Sequence, residues 1–274
     1  MSLAETDIGT GPGPGPLRRL TAAVADTRAV TWRNLVAYRR VPQLLIFSTI
    51  QPVIFVLMFR YVFGGAITIP GVRYVDYLMP GIFAQAVVFG SIGTAIGLAA
   101  DVKSGLIERF RSLPMARSAV LAGRTTADLV RNLFVVLLMS AVGYLVGFRV
   151  QTNALFFLGA VAVVVLFGYA VSWVFATVGL VVGDPETAQA ASFPVMAPLV
   201  FASNAFVPLR SMPGWLQVFA EHQPVSATVA AARALVLGGP TTRPVLKALA
   251  WVVAILAVFG PLAVRRYRRA DTKN

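Results

Sequence analysis

The residues of this chain whose types could do chemistry collect in one run, 101–124, DVKSGLIERFRSLPMARSAVLAGR, set between two long apolar segments. Val102, Leu106, Phe110 and Leu113 recur at helical spacing while Lys103, Glu108, Arg109, Arg111 and Ser112 take other faces. The first half therefore reads as an amphipathic helix, ended by Pro114. What such a helix offers is electrostatic contact: it lies in the headgroup layer and turns its polar side to a soluble partner. Covalent chemistry has little to work with. There is no Cys, and the single His222, between Glu221 and Gln223, reads as a solvated loop residue rather than a ligand or base. No HExxH metal motif, GxSxG nucleophile elbow or GxxxxGK[ST] phosphate loop occurs, so the chain is not expected to hydrolyse ATP by itself. The acids fall at loop positions such as Asp101, Glu108, Asp184 and Glu186, with Asp128 at the edge of an apolar span. No ionisable group is expected at mid-depth, which speaks against a proton-coupled carrier and against an intramembrane enzyme.

The elements that must position this run are membrane helices. Of 274 residues, 57% are hydrophobic and only 13% charged, against about one quarter charged in soluble domains. The net charge of +13 lies beside apolar spans, where anionic headgroups are the nearer partner, so nucleic acid is not needed to explain it. Residues 1–17, rich in alternating Gly and Pro, read as a disordered tail. Residues 18–41 interleave six arginines with Trp32, Tyr38 and aliphatic residues and read as an interfacial amphipathic helix; a solvated basic arm is the alternative. No cleavable secretory signal is expected before Val41.

Residues 42–264 are expected to form an all-α membrane domain with six spans, at 44–63, 77–100, 129–148, 155–182, 188–207 and 246–264, followed by a basic tail at 265–274. Lys and Arg concentrate on the side that holds both termini, which places those termini in the cytosol and gives an even number of crossings. Arg60, near the outer end of the first span, is expected to snorkel outward. Pro194 and Pro198 remove two helical donors from the fifth span, and broken backbone at membrane depth requires protein or water around it, so this helix is expected to face the interior. The long connection 208–244 reads as short helices capping the outer mouth or re-entering it, with Trp215, Leu216 and Phe219 on one side of the first. The GxxxG spacings at Gly93/Gly97, Gly143/Gly147 and Gly179/Gly183 suit close helix packing within one subunit better than a dimer seam. The loop Gly183, Asp184, Pro185, Glu186 is open to two readings, a capped turn or a second contact for a cytosolic partner.

Two blocks, SGLIERFRSLPMARSAVLAGR and FASNAFVPLRSMPGWLQVFAEHQPVS, resemble the type-2 ABC exporter permeases, in particular the daunorubicin-resistance membrane proteins of actinobacteria; the likeness extends over 32–269. The resemblance implies a multi-pass, six-helix permease of the bacterial cytoplasmic membrane that dimerises and pairs with two copies of a separate ATPase, which would hold the ATP and magnesium. It implies that the helix around Gly105, Glu108, Arg109, Arg111 and Pro114 couples to that ATPase, and that the segment after Asn204, including Pro208 and Trp215, forms an outer gate. Gln85, Ser203, Asn204 and Phe206 are the candidate lining of a path for a hydrophobic or amphipathic drug, antibiotic or lipid-like compound. Export of polysaccharide or lipid-linked glycan is the alternative within the same family, and a passive channel or scaffold the alternative outside it.

Overall fold

A computed structural model describes residues 16–40, 42–106 and 117–269. Among them are nine α-helices, in chain order α1 (Pro16–Arg40), α2 (Pro42–Leu57), α3 (Tyr74–Lys103), α4 (Arg117–Leu145), α5 (Ala154–Val182), α6 (Pro185–Phe201), α7 (Gly214–His222), α8 (Pro224–Leu237) and α9 (Thr242–Arg269). The described chain carries no strand, as a backbone surrounded by hydrocarbon requires when it does not close into a barrel.

Four of these helices, α3, α4, α5 and α9, are long and apolar enough to cross a membrane. The first and fifth expected spans come out shorter. α2 gives way after Leu57 to a π-helical turn, Met58–Val62, and α6 ends at Phe201, with Pro194 and Pro198 inside it and the expected last turn unwound into a loop. α4 starts twelve residues before the expected Leu129, so a charged stretch read as loop is helical.

α3 is the axis of the bundle. It packs against α5, α6, α4, α8 and α2, and two thirds of its most apolar window is buried. α5 lies between α3, α9 and α8, and α1 lies along α4, where Thr31 donates to the Gly123 carbonyl at 3.1 Å. α9 is the opposite of α3: only 11% of its apolar window is buried, and Leu246, Val253 and Val258 face outward, as side chains in contact with lipid tails do. Of the glycines in those spacings, Gly143 and Gly179 pack against α3, whereas Gly147 has open space beside it. A Cβ on Gly179 of α5 would sit 2.3 Å from the Ala95 carbonyl oxygen of α3, so these backbones touch directly. α6 departs from expectation: Ala188, Ser192, Met196 and Val200 pack inward, but Phe193, Pro194, Val195, Pro198 and Phe201 are exposed, so it is an amphifacial helix rather than an enclosed one.

Candidate functional site

At the Tyr74 end of α3 the chain leaving α6 forms a loop whose residues Ser203, Asn204, Ala205 and Phe206 are all buried. Ser203 shapes it, donating its hydroxyl to the Val200 carbonyl at 2.6 Å and accepting from the Ala205 amide at 3.1 Å. The Asn204 amide donates to Ser226 at 3.2 Å, and Gln223 Nε2 donates to the Leu199 and Ala202 carbonyls at 2.9 and 3.3 Å. The last carbonyls of α6, which a helix end leaves without partners, are thereby satisfied by side chains. Two phenols of α3 hold the loop from the other side: Tyr77 donates to the Asn204 carbonyl at 3.2 Å and Tyr74 to the Phe206 carbonyl at 3.1 Å. Arg233 of α8 closes the arrangement. Its Nε and Nη2 donate to the Tyr77 carbonyl, Nη2 also reaches the Asn204 carbonyl at 3.0 Å, and the guanidinium lies 3.5 Å from the centre of the Tyr77 ring. Planar stacking and a forked donor set are what arginine supplies and lysine does not.

Gly81 lets the loop approach α3, since a Cβ there would fall 2.2 Å from the Ala205 carbonyl oxygen. Phe206 stacks on Phe59 with ring centres 4.6 Å apart and on Phe201 at 6.0 Å, joining the loop to the π-helical turn. Of the candidate lining residues, then, Ser203, Asn204 and Phe206 are brought together, and Gln85 is buried one helical turn along α3 from Gly81. Gln85 Oε1 and Asn204 Oδ1 are buried with no hydrogen-bond partner among the described residues. Pro208 precedes a 3-10 turn and borders an open cavity of about 490 Å³ with Ile67 and Arg210. Trp215 is 76% exposed on α7 and does not join the loop. His222 is exposed, as its sequence context suggested, with Nδ1 3.0 Å from the Val218 carbonyl oxygen. Arg60 lies in the π-helical turn, its guanidinium 5.7 Å from the centre of the Tyr61 ring.

At the Lys103 end, α3 stops at Gly105, whose φ of +68° lies in the left-handed region that favours glycine. Lys103 pairs with Asp184 at 2.7 Å. Asp184 also caps α6, accepting from the Thr187 amide at 3.0 Å and hydroxyl at 2.9 Å, so the capped turn is present and is tied to α3. The hydrogen bond from Lys103, then those from Thr187, hold the Asp184 carboxyl well below the usual carboxylate range. Glu186 is exposed in the first turn of α6. Glu108, Arg109, Arg111 and Pro114 lie outside the described residues.

Sequence reasoning missed a charged seam between α3 and α4. Asp128 and Arg131 are 2% and 7% exposed and lie inside a helix, where the sequence reading had put Asp128 at the edge of an apolar span. Thr94 of α3 donates to Asp128, Arg131 lies 3.8 Å from Asp128, and Arg124 pairs with Asp101 at 2.8 Å. The signal was the spacing of Arg124, Asp128 and Arg131, which puts all three on one face of a helix; starting the span at Leu129 concealed it. Arg233 was missed for a different reason: nothing local marks an arginine that donates to carbonyls far along the chain.

Residues 25–237 match the ABC-2 type transporter family. Over 259 residues, 94% of this chain and 91% of the relative, the sequence is 37% identical to a daunorubicin resistance ABC transporter permease protein of Streptomyces coeruleorubidus. It is 30% identical over 263 residues, 88% of this chain and 90% of the relative, to a doxorubicin resistance ABC transporter permease protein of Mycobacterium tuberculosis.

Proposed function

The chain belongs to the ABC-2 type transporter family as a membrane permease without an ATPase of its own, and on that premise we propose that it exports hydrophobic or amphipathic drugs of the daunorubicin and doxorubicin kind. The observation that carries the substrate class is the near full-length likeness to the daunorubicin resistance permease. Six crossings are made by α2 with its π-helical turn, α3, α4, α5, α6 with the loop after it, and α9. Both termini are cytosolic, a reading supported by Lys103, Arg117, Arg265, Arg266 and Arg268 at the ends of α3, α4 and α9 that lie together. α1 lies at the cytosolic face against α4, with Trp32 and Val24 exposed to lipid.

Two copies of a separate ATPase bind ATP and magnesium and move the segment between α3 and α4. Gly105, Glu108, Arg109, Arg111 and Pro114 receive that movement, with Asp184 and Glu186 beside them; the ion pair from Lys103 to Asp184 supports placing these two regions together. A homodimer encloses the path between its two copies. The exposed apolar faces of α2 (Ile50, Ile54, Leu57) and α6 (Phe193, Val195, Phe201) support that arrangement. Ser203, Asn204, Phe206 and Pro208 form the outer gate, Gln85 lines the path below it, and Trp215 sits on its rim.

The test is co-expression with a partner ABC ATPase in drug-sensitive cells, reading daunorubicin accumulation. Expected is lower accumulation that depends on the ATPase, loss of the effect in Glu108→Lys with membrane insertion intact, and altered drug selectivity in Asn204→Ala and Phe206→Ala. Uphill daunorubicin movement by this chain alone in liposomes would overturn the proposal, as would a wild-type pair that leaves accumulation unchanged.

A further inference from the structure

Arg124, Asp128 and Arg131 occupy one stripe of α4, and α3 presents to that stripe Asp101, Thr94 and three glycines. A Cβ on Gly97 would overlap the Arg124 guanidinium, and Cβ atoms on Gly90 and Gly93 would lie 2.8 and 3.0 Å from the nitrogens of Arg131. The glycines therefore form a seat for two guanidinium groups. Arg131 Nη2 also donates to Asn132 Oδ1 at 3.2 Å, and Asn132 lies against Gly168 of α5, where a Cβ would be 2.7 Å from its amide nitrogen.

Such an arrangement is not what stability alone favours. Apolar residues of similar volume pack two helices at least as well as buried ion pairs, whose desolvation offsets their attraction. What ion pairs and hydrogen bonds add is register. Apolar helix faces in lipid have little to stop them sliding, because the tails are as apolar as the neighbouring helix. A side chain held by a named partner fixes one helix against the other at one height. The register in question is that of the two helices joined by the segment 104–116.

We infer that the Arg124–Asp128–Arg131 stripe of α4, seated in the glycine face of α3, is a positioning device that locks α3 and α4 into one lever, so that displacement of the segment between them moves both helices together. The inference rests on the exporter reading above. Asp128 and Arg131 are positioning residues, acting through the fit of α4 on α3. Without them the two helices slide, and hydrolysis by the ATPase no longer produces movement at the far end.

The chain contains no Cys, so spin labels placed at Ala100→Cys of α3 and Leu133→Cys of α4 report their register directly. In the permease–ATPase complex in lipid nanodiscs, the expected result is one narrow distance, with or without ATP. In an Asp128→Leu/Arg131→Met pair, which keeps the packing volume, the distribution should broaden, while Arg131→Lys should keep it narrow. In proteoliposomes the Leu/Met pair should lower daunorubicin moved per ATP by about tenfold with hydrolysis within about twofold of wild type, the size of an ordinary coupling free energy. A narrow, unchanged distance in the Leu/Met pair overturns the inference even if the wild type moves no daunorubicin, a result that would count against the exporter reading alone. Wild-type transport per ATP in the Leu/Met pair overturns it as well.

Discussion

The two ends of α3 are held by different chemistry. At the Tyr74 end, uncharged donors and Arg233 hold the loop by its backbone carbonyls, and the ion pair at that end, Arg73 with Asp76 at 2.8 Å, joins two residues three apart at the start of α3. At the Lys103 end and along α4, carboxylates pair with cations: Asp184 with Lys103, Asp101 with Arg124, Asp128 with Arg131. The first arrangement fixes the path of a loop backbone. The second leaves the backbones helical and fixes side chains. A loop held by several separate donors can be released one bond at a time, whereas a paired charge in a low-dielectric setting is costly to leave without its partner.

The difference is broken most severely by Arg233→Met, which leaves the Tyr77 and Asn204 carbonyls short of a donor. It should destabilise the fold by about 2–3 kcal/mol, with Arg233→Lys recovering only part, read as a fall in the melting temperature of the detergent-solubilised protein. Next comes a pair of identical substitutions. Gly81→Ala meets the backbone of Ala205, which cannot move away without displacing the loop, and should cost about 2 kcal/mol. Gly97→Ala meets the tip of a flexible arginine and should cost about half as much, because the guanidinium can swing aside. Equal costs would show that both ends are backbone-limited. Arg124→Gln, at a pair less than one fifth exposed on either side, should lower stability by about 1 kcal/mol.

Lys103→Gln should have the smallest effect, measurable in low salt and lost in high salt, because this pair is solvent-screened. Its pH dependence has a definite sign. The Asp184 carboxyl is depressed in the folded chain, so its contribution is complete above the ordinary aspartate value of about 3.9 and is lost as pH falls through and below that value. Titration from pH 8 to 6 should leave the stability difference between wild type and Asp184→Asn unchanged, and acidification below that ordinary value should shrink it.

Much of this was legible in the chain itself. Long apolar runs gave α3, α5 and α9, and Pro194 with Pro198 marked α6 as irregular. Ser203 and Asn204 stood out as polar residues near the end of an apolar span, and both are buried in the loop that follows it. What the sequence concealed depends on distance along the chain. Tyr77 and Arg233 are 156 residues apart, and neither has a local pattern that betrays the other. Asp128 and Arg131 were concealed by the opposite problem: their helical spacing was visible, but charge was taken as a sign of the span edge. Gly93 and Gly97 were read for helix approach, and the room they leave is occupied by arginine instead. Trp215 was placed on one side of a short helix and, through the resemblance, in the outer gate, and it stands exposed on α7.

The contrast between α3 and α9 sets what mutation can do to each. Little of α9 is covered by protein, and acyl chains around an exposed span are a fluid medium that reshapes around any side chain, so Leu, Ile, Val, Met and Phe should interchange there with little consequence. A residue of α3 has rigid protein neighbours on nearly every side, and one added or missing methylene is felt. Drift among homologous chains should therefore be fast and composition-limited in α9, and slow and volume-limited in α3.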